Sequence, residues 1–162
     1  MISTLGFTLS ALKLLLFSYI TLILFFTDLE TQLLPFKLNI SLLVLGLLFG
    51  LKQASIIDSF LGMLLGAAIL LILRFVTSKI YKMETLGLGD VILLASIGSF
   101  WGIKAMLVSV HTGVIVGGAY ALLLLALNKA KKTDVLAFGP FLIVGFWINH
   151  FFGEQLVNWI YG

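Results

Sequence analysis

Six apolar runs divide this chain, and most of its charges stand between them or at their ends: Leu9 to Thr27, Leu38 to Leu51, Ile56 to Val76, Val91 to Gly102, Ala105 to Leu127 and Phe138 to Phe152. A water-soluble domain needs polar surface to cover such segments, and a chain 61% hydrophobic and 10% charged has too little of it. A hydrocarbon layer of about 30 Å takes about 20 helical residues to cross, so 162 residues hold five or six crossings and little else. The expected fold is an all-α membrane protein, a polytopic bundle of about six transmembrane helices forming a single domain over residues 1–162. The lipid bilayer is then its first partner. The stretch from Leu14 to Phe26 runs into Thr27-Asp28 without a small-x-small cleavage pattern, so the first run reads as a retained helix. Cysteine is absent, which excludes disulfides, thiolate metal sites and cysteine nucleophiles. The net charge of +3 is spread between segments, as befits orientation in a membrane and not nucleic-acid binding.

With six crossings the loops alternate, and the basic residues divide unevenly. Lys37, Arg74, Lys79, Lys82, Lys129, Lys131 and Lys132 share one side, against Lys13, Lys52 and Lys104 on the other. The excess places the loops holding Asp28 and Asp90 at the cytoplasmic face of the cell (inner) membrane, with both termini outside. The two runs that follow these aspartates, Leu38 to Leu51 and Val91 to Gly102, are short. They reach only about 21 and about 18 Å at 1.5 Å per residue. Unless the helices extend through the aspartate segments, water has to enter there, so a wet recess just below the membrane surface is expected. Glycines at intervals of four, Gly46/Gly50, Gly62/Gly66, Gly98/Gly102 and Gly113/Gly117, mark close helix packing.

Asp90 follows Gly87-Leu88-Gly89 at the mouth of an apolar run and has two readings: an N-cap, worth about 1 kcal/mol, or a functional acid at the membrane edge. Asp28, at the C-terminal end of the first run, faces the unfavourable pole of the helix macrodipole. It is a solvated loop acid, a partner of Lys37, or half of a site shared with Asp90. Glu30 and Glu84 lie on the same side and are candidate supporting groups, whereas Asp58 and Glu154 fall on the other side. Two carboxylates suit peptide hydrolysis: one takes a proton from water while the other donates to the carbonyl or the leaving amine. Close carboxylates share a proton because both cannot ionise cheaply. His111 and His150 show no metal-ligand spacing, so neither a metal nor another cofactor is expected.

At these residues the chain resembles the type IV prepilin peptidases, aspartic endopeptidases of pilus, competence and type II secretion systems. Thr27-Asp28-Leu29-Glu30-Thr31-Gln32-Leu33-Leu34-Pro35 is similar to their first aspartate motif, and Glu84-Thr85-Leu86-Gly87-Leu88-Gly89-Asp90-Val91 to their GxGD motif. Ala137-Phe138-Gly139-Pro140-Phe141-Leu142 resembles a late family segment implied to shape the substrate groove. The resemblance implies cleavage of the leader of prepilins or pseudopilins after a glycine at the cytoplasmic face. It assigns Asp28 and Asp90 as the catalytic pair, with Glu30, Thr31, Pro35, Glu84, Gly87, Gly89, Gly139 and Pro140 in binding or support.

Phe36, Ile92 and Ala137 depart from the family pattern of aspartate, lysine and proline at these positions. The N-terminal domain with paired cysteines that goes with N-methylation in many relatives has no counterpart here, so methyltransferase activity is not expected. Two alternatives stand beside this assignment. Gly87-Leu88-Gly89-Asp90 also resembles the motif of presenilin and signal-peptide-peptidase intramembrane proteases, and a non-catalytic assembly factor or a small transporter would account for the apolar runs.

Overall fold

The computed structural model describes residues 2–52, 56–82, 86–127 and 137–161, with the backbone alone at 2–7, 81 and 153–161. Every regular element among them is a helix: α1 (Ile2–Thr31), α2 (Phe36–Lys52), α3 (Ile56–Tyr81), α4 (Leu88–Ala126) and α5 (Gly139–Tyr161). α1 stops ahead of Pro35 with Gln32 in the left-handed region at φ 54°, and α3 stops the same way at Lys82. Both helices run several residues beyond the apolar stretches that announce them, so Asp28 falls inside the last turn of α1 and not after it.

The six-run expectation meets five helices, because the fourth and fifth runs are one element, α4, folded at Gly102. That residue has φ 78° and ψ −173°, a backbone open only to glycine. Around it the two arms of α4 turn back on each other. On α3, Gly62 packs against Gly98 and Gly102, while Gly66 packs against Leu94 of the first arm and Met106 of the second. One arm thus descends α3 as the other climbs it. The second arm then meets α5 head to tail, Gly117 and Gly113 against Phe141 and Leu142, and Gly145 against Ser109. The first arm has 14 residues before the break and the second 24 after it, about 21 and about 36 Å long.

The glycines spaced by four do bring backbones together, as the small-residue pattern implies. A Cβ on Gly98 would run into the Gly62 carbonyl, and one on Gly46 into Ser99. Away from the site end, Phe17 of α1 lies between Phe100 and Phe146, with ring centroids 5.1 and 4.5 Å away, tying α1, α4 and α5 together. The outside is apolar too. Ile115 and Leu122 are each 69% exposed, an exterior suited to lipid.

Three helical stretches, Thr8–Thr31, Ile56–Ile80 and Leu88–Ala126, are long and apolar enough to cross a membrane, and Gly139–Phe152 is a shorter apolar helix. The chain is an all-helical membrane protein by these features. Lys13, buried and stacked over Trp101 with its Nζ 4.6 Å from the ring centroid, lies at the Gly102 end. Lys37 and Arg74 lie at the opposite end with Asp90. Lys129, Lys131, Lys132 and Asp134 fall outside the described residues, and Glu154, Trp159 and Tyr161 are described in backbone only.

Candidate active site

Four segments meet at the end of the bundle opposite Gly102. Asp28 comes from the last turn of α1, Asp90 from the first turn of α4, Leu34 from the link between α1 and α2, and Gly139 from the start of α5. Gly139 lies between the two acids. A Cβ there would stand 2.6 Å from Asp28 Oδ2, 3.3 Å from Asp90 Oδ1 and 3.3 Å from Leu34 Cδ1. The two carboxylate oxygens are therefore within about 6 Å of each other, the range over which such groups interact strongly.

Asp90 is not the N-cap that its position before an apolar run suggests. Gly87 is the cap, in an extended conformation, and Asp90 is the third residue of the helix. From there its carboxylate turns back to the N–H of Gly87, as the acidic member of a capping box does. The N–H of Gly139 also points to Asp90 and to Asp28. This donor is free because the first turn of a helix leaves its N–H groups without internal partners, and Pro140, next in line, has no N–H to satisfy. Two helix N-termini thus face the same pair of carboxyl groups.

Both carboxylates are buried, Asp28 at 3% and Asp90 at 8% exposure. This replaces the wet recess expected from the short second and fourth runs. α1 continues to Thr31, and Leu34 packs beside Gly139 and on Gly89, where a Cβ would meet the Leu34 Cβ at 2.8 Å. Asp28 Oδ2 is enclosed and, among the described residues, has no hydrogen-bond partner of good geometry.

The other candidate residues divide sharply. Gly87, Gly89, Gly139 and Pro140 are at the pair. Pro35 sits half-buried ahead of α2 and accepts the N–H of Asn39 at 3.0 Å. Glu30 and Thr31 are exposed at the end of α1, and the Thr31 hydroxyl donates to Thr27 O at 2.7 Å, a local helix bond. Glu84 lies outside the described residues. Asp58 is at the far end, where its Oδ1 accepts the N–H of Ile103 at 3.2 Å.

Three residues that sequence reasoning passed over also belong to this end. Leu34 looks like any leucine in the chain, and nothing local marks it. Asn39 is completely buried and donates from Nδ2 to Gly89 O at 2.7 Å. A lone amide in an otherwise apolar stretch was the available signal. Arg74, which figured only as a positive charge, donates from Nη1 to Leu86 O at 2.8 Å.

The type IV leader peptidase family matches residues 15–122, a stretch that holds both aspartates. A prepilin leader peptidase/N-methyltransferase of Aeromonas salmonicida is 30% identical over 147 residues, covering 90% of this chain and 50% of its own length. The protein of that name from Legionella pneumophila is 33% identical over 164 residues, covering 97% of this chain and 55% of its own. That of Pectobacterium carotovorum is 36% identical over 134 residues, covering 82% and 48%. The chain spans about half the length of the curated relatives it matches. No solved structure matches it. With its two aspartate segments inside the matched region and joined at one end of the bundle, the chain belongs to the type IV leader peptidase family.

Proposed function

We propose that this protein is a membrane aspartic endopeptidase that removes the leader peptide of type IV prepilins or pseudopilins, cutting after a glycine. The observation that carries the proposal is the meeting of Asp28 and Asp90 across Gly139, from segments far apart in the chain. Family membership and the names of the relatives support the substrate class.

The chemistry follows from two carboxylates that share one proton. The ionised carboxylate accepts a proton as water oxygen attacks the scissile carbonyl carbon. The protonated one donates to the carbonyl oxygen. When the C–N bond breaks, the proton taken from water passes to the leaving amine, the other carboxylate takes its proton back from a gem-diol hydroxyl as the carbonyl re-forms, and the pair returns to its starting state. Asp28 Oδ2 has no hydrogen-bond partner among the described residues, which leaves it free to give or take a proton in this exchange. Activity therefore depends on a singly protonated pair, and kcat/KM against pH is bell-shaped.

The same proposal places the site at the cytoplasmic face of the inner membrane. The excess of Lys and Arg on the loops at that end supports this orientation, and the fold at Gly102 supports six crossings by turning α4 into two antiparallel arms.

The test is cleavage of a prepilin bearing a Gly-Phe junction by the purified protein in detergent, beside Asp28→Asn and Asp90→Asn. Asparagine keeps the shape and removes the titratable group. The parent is expected to cut after glycine and both folded variants to fail. A variant that cuts as well as the parent rules out the shared pair, and an inert parent across several prepilins favours a non-catalytic assembly role.

A further inference from the structure

Asn39 is an expensive residue where it stands. It is fully buried in α2, its Nδ2 donates to Gly89 O, and its Oδ1 is enclosed with no partner among the described residues. A half-satisfied buried amide costs stability that a leucine would not, so packing does not account for it. The Asn39 backbone is engaged as well: Ser96 Oγ donates to its carbonyl at 3.2 Å, which pins the first turn of α2 to the first arm of α4.

What the amide holds is the second residue of that arm. Gly89 precedes Asp90, and Leu86, held by Arg74 Nη1 at 2.8 Å from α3, precedes the capping Gly87. The carbonyls on either side of Gly87-Leu88 are thus gripped from two different helices. Between the grips lies the Gly87 N–H, and the Asp90 carboxylate that it faces belongs to the residue just after the second grip.

We propose that Asn39 and Arg74 are positioning residues that together set the place of Asp90 against Asp28. This rests on the reading of those two acids as the catalytic pair. Asn39 and Arg74 each act by fixing a backbone carbonyl of the turn that carries Asp90.

The experiment is cleavage of the Gly-Phe prepilin by the full chain in detergent, comparing Asn39→Ala, Arg74→Gln, their double variant and Asn39→Asp, with Asp28→Asn and Asp90→Asn alongside. Each single variant is expected to lower kcat by about 10- to 100-fold, since small misplacements of a catalytic group cost that much, while KM changes less than about threefold. Both act on one turn, so the double variant is expected to lose little beyond the worse single one. Asn39→Asp keeps the shape of the amide, and only its protonated form can donate to Gly89 O. Its kcat per folded molecule, relative to the parent, is therefore expected to recover as pH falls, whereas a role in packing alone would show in the folded fraction instead.

The positioning proposal is overturned if the two losses multiply, if they appear in KM alone, or if Asn39→Asp follows the parent's pH profile. Should the aspartate variants be inert while Asn39→Ala and Arg74→Gln turn over like the parent, this proposal fails and the catalytic pair survives. If Asp28→Asn or Asp90→Asn remains active, the pair itself fails and takes the proposal with it.

Discussion

The first arm of α4 has an aspartate at each end, and the two have different surroundings. At the Gly102 end the exposed Asp58 reaches across from α3 and accepts the N–H of Ile103, supplying an acceptor where the second arm begins. At the other end Asp90 also faces backbone N–H groups, those of Gly87 and Gly139, but it is buried and shares the second of them with Asp28. An aspartate beside free helix N–H groups is thus present in both places. What separates a cap from a candidate catalyst is enclosure and a second carboxylate, and both come from the helices packed around the turn.

That contrast can be tested from its strongest consequence downward. Asp90→Asn is expected to reduce prepilin cleavage by about 10³-fold or more, within the range general acid–base groups supply, whereas Asp58→Asn leaves kcat/KM within about twofold. A steady-state comparison of the two variants measures the difference directly, and equal losses would erase the distinction between the ends. Gly139→Ala comes next. Its methyl would stand against Asp28 Oδ2 and Asp90 Oδ1, and displacing either acid by about 1 Å is expected to cost about 10²-fold in kcat, read from single-turnover cleavage.

At the far end the expected effect is on stability. Gly102→Ala forces a side chain into a conformation with φ 78° and pushes a methyl into the Asp58 carboxylate. A loss of about 1–3 kcal/mol is expected from the backbone strain alone, visible as a lower Tm in detergent, with kcat per folded molecule unchanged. The smallest effect belongs to Gln32, which ends α1 at φ 54°. Gln32→Gly removes the left-handed penalty and is expected to raise stability by about 0.5–1 kcal/mol; a lower Tm would mean that the Gln32 side chain contributes more than its backbone costs.

Much of the molecule was legible in one dimension. The apolar runs announce helices, Pro35 limits α1, and the glycines spaced by four announce close backbone contact, because each depends on residue type and local spacing alone. Asp28 and Asp90 stood out since an acid is costly next to lipid, and Gly139 stood out through its motif. The fusion of the fourth and fifth runs was less visible: Gly102 looks like one more packing glycine, and only its contact with Asp58 and Gly62 shows that the chain reverses there. Asn39 and Arg74 were hidden for another reason. Their partners are backbone carbonyls, Gly89 O and Leu86 O, which are present at every position and leave no mark in a sequence.

The sequence by itself therefore determined the class of the molecule, the position of most helices and the family, and it singled out the two acids as candidates. Those follow from transfer energies, helix periodicity and residues whose chemistry is their own. The tertiary structure alone decided that α4 doubles back, that Asp90 is the third residue of its helix and not the cap, that the pair is enclosed by Gly139 and Leu34, and that α2 and α3 hold its turn. These depend on which backbone groups and side chains approach one another across the bundle, and such distances are properties of packing that no single segment contains.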